Sequence, residues 1–94
     1  MKIHQLKIWP EFFAAVLDGS KNFDVRYNDR DYQVGDIVLL QEYDDRKGVR
    51  TGRQVCKVIT YILAGVPGGI PPLAGLNRNY VVLALADAPE PEAA

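Results

Sequence analysis

Ninety-four residues carry 11 lysines and arginines against 12 aspartates and glutamates, a formal net charge of −1, and 48% of them are hydrophobic. That length and content fit one compact domain with a modest core over residues 1–86, followed by an acidic, disordered tail over 87–94. A near-neutral chain is a poor candidate for tight nonspecific duplex binding, because counterion release scales with the number of phosphates neutralised.

Residues 2–8 alternate well enough for a first strand, with His4, Leu6 and Ile8 on one face. The N-terminal residues lack the apolar run of a signal peptide, and no stretch reaches membrane-spanning length. The expectation is a soluble, cytoplasmic protein with no membrane partner. Pro10 suits the first turn of a helix, Glu11 complements the positive end of its dipole, and Asp18-Gly19 supplies the stop. Phe12, Phe13, Val16 and Leu17 recur at helical spacing between them, so a short helix is predicted over residues 10–18. Trp9, Phe12 and Phe13 read as the plug of the core, with stacking on a base as the functional alternative.

The next strand is the most informative. Phe23, Val25 and Tyr27 alternate with Asn22, Asp24 and Arg26, so the first three are expected inside and the second three outside. Residues 28–31 form a polar turn, and Val34-Gly35-Asp36 forms a second, tight one. Residues 37–43 are rich in β-formers. Residues 44–48 read as a hairpin connection in which Gly48 takes positive φ. Residues 51–63 make a long strand, and 80–85 the last one. Between them, residues 64–75 are uncharged and rich in glycine and proline, a loop long enough to suggest function or mobility. No βαβ alternation appears. The fold class is therefore mainly β (α+β), a small, mostly antiparallel barrel of five or six strands plugged by one helix.

The single cysteine, Cys56, excludes an intramolecular disulfide and any cysteine-rich zinc site. It lies among Val55, Val58 and Ile59 and reads as a buried, inert thiol. His4, the lone histidine, has no ligand partners, so no metal and no cofactor is expected.

At this point the residues resemble a known family. His4-Gln5-Leu6-Lys7-Ile8, the aromatic helix, Gly19-Ser20-Lys21-Asn22-Phe23-Asp24-Val25-Arg26 and Asn28-Asp29-Arg30-Asp31-Tyr32-Gln33-Val34-Gly35-Asp36 are similar to the ASCH division of PUA-like proteins. The resemblance is greatest to a branch of small, uncharacterised phage and bacterial proteins. Glu42-Tyr43, Thr51-Gly52-Arg53 and the closing Gly75-Leu76 and Tyr80-Val81-Val82-Leu83 match it too, so the similarity spans about residues 4–85. It implies a PUA-like barrel with a cleft suited to RNA or to a nucleobase or nucleoside. Some small ASCH relatives look like amidohydrolases on acetylated cytidine, and others are reported to act on RNA. Their motif has a lysine, a threonine three residues later and a glutamate from another strand. Lys21 stands in place here, but Asp24 occupies the threonine position, and a carboxylate does not simply replace a hydroxyl nucleophile.

Each candidate has a functional and a structural reading. Lys21 could hold a carbonyl or phosphate with Asp24 setting its charge, or be an exposed lysine weakly paired to a carboxylate. Arg26 and Arg30 could grip a ligand through their guanidinium forks. The alternative is turn architecture, with Asn28 and Asp29 capping backbone amides and Arg30 tying the loop down. His4 is either a satisfied core histidine or a proton-exchanging group at a cleft mouth. Glu42 is the remote carboxylate for acid–base work. If it faces inward, its pKa is raised unless it is paired; otherwise it is a rim residue beside Tyr43. The run Arg46, Lys47, Arg50, Arg53 and Lys57 contains no acid. It is a solvated hairpin or a track for an RNA backbone along Arg50, Arg53 and Lys57.

Three functions follow as expectations. The first is a module binding RNA or a modified nucleoside or nucleotide through Lys21, Asp24, Arg26, Arg30 and His4. The second is a small amidohydrolase or ribonuclease using Lys21, Asp24 and Glu42. The third is an adaptor that docks on a partner protein through its glycine- and proline-rich loop. Binding ranks first because Asp24 breaks the hydrolase pattern.

Overall fold

β1 (Ile3–Ile8) alternates exposed and buried along its whole length, with His4, Leu6 and Ile8 as the buried set. The computed structural model describes residues 1–64 and 75–89. After β1 come α1 (Pro10–Leu17), β2 (Phe23–Tyr27), β3 (Ile37–Asp44), β4 (Val49–Ala64) and β5 (Tyr80–Asp87). The expectations for the loop at 65–74 and for the tail beyond Pro89 lie outside the described residues.

The helix begins and ends where its sequence requires. Trp9 caps it in extended conformation, Pro10 takes the first turn, and Glu11 sits at the positive end of the dipole. Asp18 closes it, and Gly19 at φ +84° turns the chain away. Eight residues are too few to persist alone. Phe13 and Val16, each 1% exposed, anchor the helix in the core, and each burial contributes about 1.5–3 kcal/mol.

The strands form one sheet in the order β1-β3-β4-β5-β2, curled into a half-barrel. The core lies on its inner face, where Leu6, Ile8, Phe13, Val16, Val38, Leu40, Ile59, Val81, Leu83 and Leu85 pack together. The mainly β architecture with one helix agrees with the sequence reading, at five strands. Two details differ. β1 runs parallel to β3, although the other three pairings are antiparallel. The sheet also stops short of closure, because β1 and β2 end it and no ladder joins them. Register shifts between Gln41 and Tyr43 and between Ile59 and Tyr61 interrupt the pairing of the sixteen-residue β4, and such irregularities increase local twist. At the hairpin before β4, the Gly48 N–H donates to the Asp44 carbonyl at 2.7 Å, with Gly48 at φ +69°.

The burial expected of β2 is reversed. Phe23, Val25 and Tyr27 are 42, 50 and 53% exposed, whereas Asp24 is 6% exposed. The cause is register. Asp24 pairs with Leu83 and Arg26 with Val81, and residues directly opposite in a sheet share a face. Leu83 and Val81 are core residues at 0 and 2% exposure, so Asp24 and Arg26 turn inward with them. Tyr27 keeps an outer-face partner in Tyr80, edge-on at 5.4 Å between ring centres.

Candidate functional site

β2's inward face does not meet apolar packing alone. Between the C-terminal half of β1, the start of α1 and β2 lies a cleft of about 450 Å³ lined by Lys7, Ile8, Trp9, Phe12, Lys21, Asp24, Val25 and Arg26. Three cations and one carboxylate thus share a space with two aromatic rings.

Asp24 is the centre of the polar set. Its Oδ1 accepts from Lys21 Nζ at 3.3 Å and its Oδ2 from Arg26 Nε at 2.5 Å. Lys21 Nζ also donates to the Phe23 carbonyl at 2.8 Å and lies 5.7 Å and 5.0 Å from the ring centres of Phe12 and Phe23. Arg26 Nη2 donates to the Lys7 carbonyl at 2.8 Å. Lys21, Asp24 and Arg26 are therefore each fixed by at least two contacts. A group held this way is preorganised for an incoming ligand, since little side-chain freedom remains to be lost.

Phe13 is the core plug, as the helical spacing indicated, but Trp9 and Phe12 are 50 and 43% exposed. Their rings lie 5.9 Å apart and within 14° of parallel. Phe13 and Val16 define the buried stripe of the helix; Phe12, about 100° from Phe13 but only about 40° from Val16, lies at the edge of that stripe, and Trp9 precedes the helix as its N-cap. Lys7 and Val25 also line the cleft without having been singled out.

Other candidates lie elsewhere. His4 is buried, its Nε2 2.9 Å from Asp36 Oδ2 and its ring 4.7 Å from that of Tyr32. This is the satisfied core histidine, and it does not line the cleft. Asp36 also accepts the N–H groups of Lys2 and Gln33, each at 3.0 Å. Burial pushes its carboxyl up, but the His4 contact and the two backbone donors outweigh that and hold it at about 2. Arg30 Nη1 donates to the Gln5 carbonyl at 3.0 Å and ties the loop down. The amide capping in this turn comes from Asp36, which receives Gln33 N–H, rather than from Asn28 and Asp29.

Glu42 does face inward, at 4% exposure, and it is paired. Arg53 donates through Nε at 2.9 Å to Oε1 and through Nη2 at 2.8 Å to Oε2, while the Thr51 hydroxyl donates at 2.6 Å. The Arg53 hydrogen bonds foremost, with Thr51 behind them, hold the carboxyl at about 2 despite burial. Such a group is ionised at neutral pH and is a weak base. It is not among the residues lining the cleft that holds Lys21 and Asp24. The basic run on β4 is similarly engaged. Arg53 serves Glu42 and lies 5.0 Å from the Phe13 ring centre. Lys57 pairs with Asp87, and Arg50 donates to Gln41. Cys56 is buried.

Among the described residues no group of three or more histidines, cysteines or acids is placed to hold a metal ion. Among the same residues no helix is long and apolar enough to cross a membrane.

Comparison with protein families matches residues 3–85 to a domain of unknown function, DUF3850. Comparison with curated proteins finds similarity to the "Uncharacterized 12.9 kDa protein in GpA 3'region" of Escherichia phage P2, 42% identical over 59 residues. That alignment covers 63% of this chain and 52% of the phage protein, so the chain spans about half the length of that curated relative.

Proposed function

The chain belongs to the DUF3850 family, and from that premise we propose that it binds a nucleotide, a nucleoside or single-stranded RNA in the cleft beside Lys21, Asp24 and Arg26. The observation that carries this reading is one juxtaposition: the near-parallel, half-exposed rings of Trp9 and Phe12 share a cleft with Lys7, Lys21 and Arg26. A flat π face beside fixed cations suits a ligand that has both a ring and an anion. Stacking of a base on an aromatic side chain supplies about 1–3 kcal/mol, and a volume of about 450 Å³ is in the range of small-ligand sites.

The fold that accompanies this reading is PUA-like, of the ASCH type. It is supported by the five-stranded curled sheet with its single helix and by the quoted motifs. A cytoplasmic setting is supported by a single buried thiol. Arg50, Arg53 and Lys57 enter the reading only as outlying contacts for a longer RNA, because two of them already serve carboxylates. Hydrolysis ranks behind binding. Glu42 is committed to Arg53 and Thr51, and Asp24 stands where the related enzymes carry a hydroxyl.

The test is a thermal-shift and native mass-spectrometry screen of purified protein against mononucleotides, modified nucleosides and short single-stranded RNAs. A saturable rise in melting temperature with at least one of them, lost in Trp9→Ala, is expected. No stabilisation by any of them overturns the reading.

A further inference from the structure

Among the described residues β2 has one edge without a strand partner, and its hydrogen-bonding polarity can be followed residue by residue. The Leu85 N–H donates to the Asn22 carbonyl at 2.9 Å, and the Asn28 N–H donates to the Asn79 carbonyl at 2.7 Å. The register between those two bonds is unbroken, so Asn22, Asp24, Arg26 and Asn28 are the positions bonded to β5. In an antiparallel ladder the alternate residues turn their N–H and C=O groups the other way. Phe23, Val25 and Tyr27 therefore direct theirs to the open edge. Two carbonyls there are already engaged: that of Phe23 accepts Lys21 Nζ at 2.8 Å, and that of Tyr27 accepts the Asp29 N–H at 2.9 Å.

Val25 is different. Among the described residues neither its N–H nor its C=O has a partner, so both are left for water or a ligand. Its side chain belongs to the outer face and is half-exposed, yet Val25 lines the cleft. What it presents to the cleft is its backbone edge, a donor beside an acceptor, flanked by the charges of Lys21 and Arg26.

We propose that the Val25 N–H and C=O read the hydrogen-bonding edge of a nucleobase whose ring is held by Trp9 and Phe12. This rests on the nucleotide-binding reading and gives it a recognition element. Each base offers an adjacent donor and acceptor on its Watson–Crick edge, which is how unpaired bases are commonly recognised by proteins. One β-strand residue offers the complementary pair. The Val25 side chain takes no part, so the element is independent of side-chain identity at this position. Lys21 and Arg26 lie beside it, where a sugar or phosphate substituent would project.

The experiment uses the full chain and the 5′-monophosphates of adenosine, guanosine, cytidine and uridine. The best-bound one is then compared with a form methylated to remove the edge donor (N3-methyl for uracil, N6,N6-dimethyl for adenine). Binding is expected to slow exchange of the Val25 amide with solvent in ¹⁵N-edited spectra, and the methylated form is expected to bind at least tenfold more weakly. Val25→Pro removes the donor at a position where β5 does not need it, and is expected to weaken binding at least tenfold. If Val25→Pro fails to fold, amide exchange and the methylated nucleotide still decide the matter. Equal binding of the methylated form with an unprotected Val25 amide, while Lys21→Ala still weakens binding, overturns the edge contact and leaves the cleft reading standing. Protection of that amide by an extended peptide and by no nucleotide overturns the base assignment. If no monophosphate binds wild type, the edge contact fails; the reading beneath it fails only if the modified nucleosides and short single-stranded RNAs do not bind either.

Discussion

Arg26 Nη2 lies 2.8 Å from the Lys7 carbonyl, and that bond joins the two strands at which the sheet ends. The Ile37 N–H donates to the Lys2 carbonyl, so even-numbered residues of β1 bond to β3 while Gln5 and Lys7 turn their carbonyls to the gap. Arg30 fills the Gln5 position in the same way. Two guanidiniums stand where a strand ladder would close a barrel. They cover an edge that would otherwise invite pairing with another chain.

Arg26 should therefore matter for folding as well as for the cleft. Arg26→Ala strips a mostly buried carboxylate, Asp24, of its shortest contact and opens the β1–β2 gap. Removing one partner of a buried ion pair costs about 3–5 kcal/mol. Because the Arg26 side chain is 22% exposed, a loss of about 2–3 kcal/mol is expected once solvent screening is allowed for. Arg26→Lys should rescue little, because one ammonium cannot reproduce the fork that serves Asp24 and Lys7 together. Urea unfolding of the three proteins checks this, and an unchanged midpoint for Arg26→Ala would remove the arginine as a structural tie.

Lys21 should separate from Arg26 in this respect. Its hydrogen bonds go to one backbone carbonyl and to one oxygen of Asp24, and the Arg26 contact to Asp24 survives its loss. Lys21→Ala is expected to leave the unfolding midpoint nearly unchanged while costing a bound nucleotide about 1.5–3 kcal/mol, the range for a hydrogen bond to a charged group. Titration calorimetry with the best-bound monophosphate reads this directly. Equal affinities would place the ligand away from this strand.

How legible was this in the sequence? Helix α1 could be placed because Pro10 and Asp18-Gly19 act through local backbone geometry, which needs no tertiary information. The outward and inward faces of β2 could not be assigned by the same logic. Its alternation identified two faces correctly, with Asp24 and Arg26 on one of them, but apolar character pointed to the wrong face as the buried one. Pairing with β5 decides the matter, since Asp24 and Arg26 lie opposite Leu83 and Val81, which are in the core. The two readings of Glu42 turned on whether a partner existed, and Arg53, eleven residues away, supplies it. Trp9 and Phe12 were read as core because aromatic residues at helical spacing commonly are. Phase alone does not separate them from the core, since Trp9 and Phe12 lie one turn before Phe13 and Val16; their exposure comes from the gap between β1, α1 and β2.

Acid should unfold the protein through Asp36 and Glu42. Both carboxyls are held at about 2 in the folded chain, against ordinary values of 3.8 and 4.5. A depressed folded pKa means that the unfolded chain binds protons first as pH falls. Their contribution is therefore fully present above about pH 4.5 and lost progressively as pH drops toward 2. The melting temperature should be flat from pH 7 to 5 and fall steeply below 4.5. Asp36→Asn and Glu42→Gln should each lower it at pH 7 and flatten that fall. An acid limb unaltered in both variants would contradict the assignment.

The basic run on β4 should divide by residue. Arg53→Ala leaves Glu42 inward with only the Thr51 hydroxyl, so its carboxyl should rise and the melting temperature should drop clearly. Arg50→Ala removes only a contact to the Gln41 side chain and should change the melting temperature little. If single-stranded RNA binds, each lost phosphate contact lowers the slope of log affinity against log salt by about 0.7. Arg50→Ala is the cleaner probe, since Arg53 is already committed to Glu42. An unchanged slope would take this run out of the interface.

Turnover is the last outcome to settle. An acyl-cytidine hydrolase built on this cleft needs a nucleophile, a base near neutrality and a group to stabilise the developing charge. Lys21 can serve the third need. Asp24 is occupied by Lys21 on one oxygen and Arg26 on the other. Glu42 is held at about 2 by Arg53 and Thr51, too acidic to take a proton efficiently at pH 7. No release of acetate from N4-acetylcytidine above the uncatalysed rate is therefore expected of wild type. Asp24→Thr supplies a hydroxyl but leaves Arg26 without its carboxylate, so it too should be inactive and less stable. Acetate release by wild type that vanishes in both Lys21→Ala and Asp24→Asn would reverse the ranking, because it would show Asp24 acting as the base despite its two cationic partners.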